Sequence, residues 1–333
     1  MQRFLIVGPA WVGDMVLAQS LFNILKQRHP DSRLDVLAPA WTHPLLARMP
    51  EVDEAIAAPF VHGRFDLGAR LRLGRELRVR AYDRAIVLPN SLKSAIVPFI
   101  ARTRVRTGFT GELRYGLLND ARKLDKQRLP RTVDRFVALA LAPDETPREI
   151  PLPRLQADAD KTRAALSRLG RNLPTVPVLA LCPGAEYGPA KRWPAEYFAE
   201  VAKAGLAKGW EVWLFGSNKD KSQTEVVQSL TKGRCLDLAG MTTLEEAIDL
   251  LALTTAVVTN DSGLMHVAAA LDRPVVALYG SSNPKHTPPM SDKATVLYLG
   301  LSCSPCFERE CPLGHLNCLR QLGPERVLAA LKG

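Results

Sequence analysis

Short apolar runs alternate with segments of helical period along the whole chain, and this alternation limits the fold more than any other feature. In the first half "RFLIV", "LDVLAP" and "YDRAIVLP" read as buried strands, each followed by helical material or a turn. After residue 174 the pattern restarts with "VPVLALCPGAE", a helix at "AEYFAEVAKAGLAKG", then "WEVWLFGS", "RCLDLAG", a helix at "TLEEAIDLLALT", "AVVTNDSG" and "PVVALYGSS". Strands separated by helices of about ten to fifteen residues imply βαβ units and parallel sheets. Two such runs predict an α/β protein of two doubly wound domains, and 333 residues are enough chain for two cores. The stretch "APDETPREIPLPRLQADAD", rich in proline and charge, reads as the linker, which divides the chain into residues 1–153 and 154–333.

Open parallel sheets bind ligands beyond the carboxyl ends of their strands, so the loops that follow strands are where a site is expected. "GPAWVGD" sets Asp14 directly after a glycine, at the turn from the first strand into the helical segment "DMVLAQSLFNILKQ", whose apolar spacing is amphipathic. An acid there caps the helix and complements its dipole, or it does chemistry; the stretch alone leaves both open. "NDSGLMH" brings Asp261, Ser262, Gly263 and His266 to a strand-to-helix turn whose amides favour an anion, with Asn260 or Asp261 able to cap the same helix. "AKRWP" adds Lys191 and Arg192, two cations suited to phosphate. Together these loops describe a diphosphate pocket in the second domain. The chain has no G-x-x-x-x-G-K-[ST] loop, and residues 8–13 lack G-x-G-x-x-G spacing, which disfavours hydride transfer. The pair Asp158 and Asp160 lies in polar linker at a helix start and reads as solvent-facing, not as metal-bound diphosphate chemistry.

Charge is uneven. Residues 1–150 carry 24 Lys+Arg and 16 Asp+Glu, net +8, whereas residues 151–333 carry 20 and 18, net +2. The basic half attracts phosphate, or is an ordinary solvated arginine face. Nucleic acid is disfavoured as a partner, since aromatics at 6% are not interleaved with the basic residues and no zinc-finger, RRM or KH signature occurs. No apolar run reaches the length of a membrane span and no signal peptide is evident, so a cytoplasmic protein is expected. Cys303, Cys306, Cys311 and Cys318 follow C-x2-C-x4-C-x6-C. Without secretion this leaves a metal site or reduced thiols; the single close C-x2-C knuckle, where zinc ribbons have two, favours structural thiols without metal.

The segments "GPAWVGDMVLAQSL", "LAPAWTHPLLARMPEVDEAI", "YDRAIVLPNSLKSAIVPF", "RTGFTGELRYGLLND", "PGAEYGPAKRWP" and "NDSGLMHVAAALDRPVVALYG" resemble, in order and over nearly the whole chain, the lipopolysaccharide heptosyltransferases of Gram-negative bacteria, glycosyltransferase family 9. The resemblance implies a GT-B fold, two Rossmann-like domains facing across a cleft, with acceptor on the first, ADP-heptose on the second, and a C-terminal helix able to pack back on the first domain. It implies inverting transfer of L-glycero-D-manno-heptose from ADP-L-glycero-β-D-manno-heptose to the first heptose of inner-core lipopolysaccharide, in an α1,3 linkage. Asp14 is then the general base, Lys191 contacts the phosphates, Arg192 assists, and Asp261 with the loop Ser262 to His266 binds donor sugar and diphosphate. Family members can carry hydroxyl residues where this chain has Glu186 and Tyr187, so Glu186 is expected at donor hydroxyls. No metal or other cofactor is required beyond the ADP-heptose substrate. The acceptor is heptosylated Kdo2-lipid A in the cytoplasmic leaflet of the inner membrane, which makes the protein peripherally membrane-associated, with Lys93, Arg106 and Arg114 as acceptor-binding candidates. Alternatives are another GT-B enzyme, such as a heptosyltransferase of different acceptor or a nucleotide-sugar epimerase, and a non-catalytic anion- or membrane-binding module. Such a module leaves the combination of Asp14 with the Lys191 and Asp261 loops unexplained.

Overall fold

The computed structural model describes residues 1–60, 64–147 and 149–331. They divide into two units, Met1–Pro153 and the chain from Arg154 onward. In the first unit β1 (Arg3–Val7), β2 (Arg33–Ala38), β3 (Glu54–Ala57), β4 (Arg84–Val87), β5 (Val105–Phe109) and β6 (Asp120–Arg122) form one sheet in the order β3-β2-β1-β4-β5-β6. In the second, β7 (Val178–Cys182), β8 (Glu211–Leu214), β9 (Leu236–Asp237), β10 (Ala256–Asn260), β11 (Val275–Tyr279) and β12 (Ala294–Tyr298) are ordered β12-β11-β10-β7-β8-β9. The paired strands run parallel throughout.

The central strands are apolar at nearly every position because helices cover both faces. Phe4, Leu5 and Ile6 of β1 are fully buried, as are Val257 and Val258 of β10. β3, β5, β6 and β12 are absent from the sequence-based expectation, and β3, β6 and β12 show why, being edge or near-edge strands with mostly half-exposed residues. The helix Val12–Arg28 also departs from expectation. It is buried along Met15–Phe22, Gln19 and Ser20 included, because a second helix, Thr132–Ala140, covers the side turned away from the sheet. Ser20 is accommodated there by donating its hydroxyl to the Pro151 carbonyl at 2.7 Å.

The linker stretch is tied down where it is described, with Leu155 N–H on the Ala270 carbonyl at 2.9 Å; Arg148 within it lies outside the described residues. The last helix, Pro324–Ala330, packs on the helix Ala195–Ala207 of its own unit, where Val327 joins Trp193 and Phe198 in one core.

Strand order reverses once in each sheet, between β1 and β4 and between β7 and β10. Connections leave these neighbours in opposite directions, which opens a crevice at their carboxyl ends. In the second unit the crevice floor is fixed by Asn260, the fully buried last residue of β10. Its Oδ1 accepts the Trp193 backbone N–H at 3.0 Å and its Nδ2 donates to the Pro183 carbonyl at 2.7 Å. One carboxamide thereby holds both ends of the loop after β7. Asn260→Ala orphans a buried amide and a buried carbonyl, so a loss of about 2–4 kcal/mol in denaturant-unfolding stability is expected. A loss under about 0.5 kcal/mol would show that the loop is held by other contacts.

Candidate active site

The loops beyond β7, β10 and β11 meet at one ion pair. Lys191 closes a short 3-10 turn, Pro189–Lys191, and its Nζ lies 2.5 Å from Oδ2 of Asp261, the residue following β10. The same Oδ2 accepts the Ser282 hydroxyl at 2.5 Å from the loop after β11. Asp261 and Ser282 are both buried. The lysine ammonium also stands 5.1 Å from the Tyr187 ring centroid, on a face that attracts cations. Ser282 was not singled out from the sequence, although its place after the strand "PVVALYGSS" obeys the strand-end rule that found the other loops.

Arg192, next to Lys191, points its guanidinium at Asp220, 4.0 Å away, and leaves its buried Nε without a partner. His266 Nδ1 and Ser281 Oγ are likewise buried and unpaired. Buried polar atoms are normally satisfied, so three unmet atoms beside one ion pair are what a polar ligand site provides. Ser262, not Asn260 or Asp261, occupies the cap position of the helix Gly263–Ala270, and its side chain caps nothing. Its hydroxyl lies 3.3 Å from that of Thr259. The backbone amides of this helix start remain oriented for an anion. Glu186 departs from the cluster: it is exposed and paired with Lys219 at 2.5 Å. The acid pair Asp158 and Asp160 belongs to a helix start, where Asp158 accepts the Asp160 and Lys161 amides at 3.0 and 3.1 Å.

In the first unit Asp14 sits in the first turn of the helix Val12–Arg28, which the loop after β1 enters at the order reversal. The cap position belongs to Trp11, which makes no side-chain capping bond. Asp14 is therefore not the helix cap; it is a half-buried acid at the positive end of the helix dipole. Lys93 lies in the 3-10 turn Leu92–Ala95 after β4, across the same reversal, and donates to the Arg64 carbonyl at 3.4 Å. Arg114, expected at the acceptor, is placed inside the first unit. It is 2% exposed, and its guanidinium donates to the Phe109, Pro89 and Ser91 carbonyls, the Ser94 hydroxyl and the Asn90 carboxamide. These bonds lock the loops after β4 and β5 together. Arg106 is half-buried and anchored to the Leu117 and Thr103 carbonyls at 2.6 and 2.7 Å, so it too braces a loop.

The four clustered cysteines are unbridged, with Cys318 buried and the others partly exposed. They line one pocket with His315, Ala190 and Ser281. Among the described residues no group of three or more His, Cys, Asp or Glu side chains is arranged to hold a metal ion. Their segment braces the Lys191 turn: Phe307 N–H donates to the Ser281 carbonyl at 2.7 Å, and the Arg309 carbonyl accepts the Ala190 N–H at 3.0 Å. Gly188 is needed at this contact, since a Cβ would stand 2.4 Å from the Arg309 oxygen.

Burial, aided by the Lys191 charge and opposed by Asp261, pushes the His266 imidazole from its ordinary 6.5 down to about 4. His266 is then neutral at pH 7. Between about 4 and 6.5 the unfolded chain binds the proton that the folded chain refuses, so stability should fall as pH drops through that window. Unfolding midpoints at pH 7 and pH 5 should show this decline in the wild type and a shallower one in His266→Gln. Equal slopes would place the titration elsewhere.

The model of glycosyltransferase family 9 (heptosyltransferase) matches residues 70–317. The chain is 48% identical to lipopolysaccharide heptosyltransferase 2 of Salmonella typhimurium over 99% of its own length and 97% of that protein's. It is 46% identical to the Escherichia coli protein of that name over the same shares. Against the lipooligosaccharide heptosyltransferase 2 of Haemophilus influenzae identity is 49%, covering 89% and 88% of the two chains. The solved structure of E. coli ADP-heptose lipopolysaccharide heptosyltransferase II aligns with a TM-score of 0.88 at 44% identity, over 100% of this chain and 98% of that one, which shows the GT-B fold of two Rossmann-like units. An E. coli heptosyltransferase bound to ADP shares the fold at a TM-score of 0.72 and 22% identity. Fold, site chemistry and full-length identity agree: the chain is an enzyme that belongs to glycosyltransferase family 9, the heptosyltransferases.

Proposed function

We propose that the enzyme transfers L-glycero-D-manno-heptose from ADP-L-glycero-β-D-manno-heptose to the first heptose of inner-core lipopolysaccharide, forming an α1,3 linkage with inversion. The observation that carries this reading is the Lys191–Asp261 pair among unmet polar atoms, at the strand reversal of a chain whose full-length relatives are named heptosyltransferase 2. A diphosphate entering that crevice offers Lys191 a stronger partner than Asp261 and supplies acceptors for Arg192 and the amides of the helix Gly263–Ala270. Those cations and amides do the charge-bearing work, so the reading requires no metal cofactor. Asp261, held by Ser282, is then available to donor hydroxyls, with Ser262, Gly263 and His266 beside it.

In this reading the acceptor hydroxyl oxygen attacks the anomeric carbon, the bond from that carbon to the diphosphate breaks, and ADP departs with the electron pair. Asp14 takes the hydroxyl proton. Attack and departure on opposite faces in one displacement invert the anomeric centre. The first unit is assigned to the acceptor, heptosylated Kdo2-lipid A, with Lys93 as its charged contact; the relatives' names extend only to lipopolysaccharide and lipooligosaccharide. No helix among the described residues is long and apolar enough to cross a membrane. The proposed location is the cytoplasmic face of the inner membrane, reached peripherally, where the acceptor is anchored.

The test is incubation of purified protein with ADP-heptose and mono-heptosylated acceptor, with the product weighed. A product heavier by one heptose, formed only when acceptor is present, is expected; donor turnover without acceptor would indicate an epimerase. Asp14→Asn should lower kcat by about 10²–10⁴ while thermal stability and ADP affinity stay near wild type, and it should lose the acidic limb of the pH–rate profile. A folded Asp14→Asn enzyme of wild-type rate would remove Asp14 from catalysis. Lys191→Ala should reduce kcat together with donor affinity, since the charge it meets grows in the transition state. Normal values of both would take Lys191 out of the donor site.

A further inference from the structure

Two indoles stand half in water at the carboxyl end of the first sheet. Trp41, in the 3-10 turn Ala40–Thr42 after β2, is 52% exposed, and Trp11, in the loop after β1, is 49% exposed. Trp193 and Trp213 of the second unit are at most 1% exposed. An exposed indole keeps a large apolar area available to a ligand.

Trp41 is exposed without being loose. Its Nε1–H donates to the Ala10 carbonyl at 3.1 Å, which ties the turn after β2 to the loop that leads into the helix whose first turn carries Asp14. The turn itself is closed by the Thr42 hydroxyl and N–H on the Pro39 carbonyl, at 2.8 and 2.9 Å, and Thr42 is fully buried. With its one polar hydrogen satisfied, the indole has only its flat π surface left to offer. An aromatic ring fixed in advance loses little freedom on binding, which is the economical way to build a contact.

A pyranose ring matches such a surface. Its hydroxyls project from the rim, while one face presents C–H groups, whose partial positive charge meets the negative face of an aromatic ring. We propose that the Trp41 indole is a stacking platform for a sugar ring of the acceptor, held by its bond to Ala10 at the approach to the helix whose first turn carries Asp14. This rests on the assignment of the first unit to the acceptor. It adds a component that charge cannot give: Lys93 attracts any anion, whereas an aromatic face selects a sugar and sets its tilt.

The experiment uses full-length wild type, Trp41→Phe, Trp41→Leu and Trp41→Ala, with a de-acylated heptosylated Kdo oligosaccharide as acceptor. Acceptor KM, donor KM, kcat and thermal midpoint are measured, and the oligosaccharide alone is titrated against intrinsic tryptophan fluorescence. Trp41→Ala should raise acceptor KM about threefold to tenfold, leave donor KM and kcat within about twofold, and lose most of the fluorescence change. Trp41→Phe should recover most of the acceptor affinity, and Trp41→Leu, similar in bulk but without a π face, should not. Unchanged acceptor KM in Trp41→Ala, or equal rescue by Leu and Phe, overturns the platform. A fall of kcat in Trp41→Phe equal to that in Trp41→Ala also overturns it, because the N–H bond to Ala10 would then be what matters. If the wild type binds the oligosaccharide with a Trp41-dependent fluorescence change yet transfers no heptose, the proposed reaction fails and the platform stands; if no such change occurs, the platform fails.

Discussion

A parallel sheet whose strand order reverses has to leave a crevice at the carboxyl ends of the two central strands, because the connections on either side carry the chain away from it. That constraint operates once in each unit, between β1 and β4 and between β7 and β10. Asp14 and Lys93 follow the strands on either side of the first reversal, and Lys191 and Asp261 those on either side of the second. Each crevice is lined by turns that enter helices, so both have free amides where an anion or an acid is stabilised. The buried Asn260 carboxamide keeps the second crevice in shape by engaging the Pro183 carbonyl and the Trp193 amide together.

The pair within it has a particular energetic character. An ion pair with Asp261 buried and Lys191 nearly so returns little net stability, since both groups surrender hydration to meet. In the proposed reaction its use is to keep a partly desolvated cation aimed while remaining exchangeable for a stronger anion. Sharing Oδ2 between Lys191 and Ser282 means that the carboxylate keeps a donor when the lysine turns to another partner. Support comes from the cysteine segment, whose backbone carbonyls at Phe307 and Arg309 hold Tyr187 and Ala190.

The basic first unit divides on inspection into two kinds of arginine. Arg114 and Arg106 spend their donors on backbone carbonyls, where a five-donor planar fork can join several turns at once. Others, such as Arg72, Arg75 and Arg102, are exposed. A net charge of +8 over residues 1–150 counts both kinds alike. The charge excess is real, yet part of it is mortar.

Periodicity is a local property, so the chain alone determined the α/β class, the two successive doubly wound runs, the strand-end loops and, through the ordered segments that resemble family 9, the chemistry expected of Asp14, Lys191 and Asp261. The weak strands β3, β6 and β12 escaped because edge positions are half-solvated and lose the apolar signature. Tertiary structure alone decided which neighbours these side chains meet. It turned Glu186 toward Lys219, buried Arg114 as a clamp, passed the cap position from Asn260 or Asp261 to Ser262, and brought in Ser282 and Trp41. The reason is physical: a residue's type fixes what it can donate, accept or bury, whereas its partner depends on strand order and packing between segments far apart in the chain.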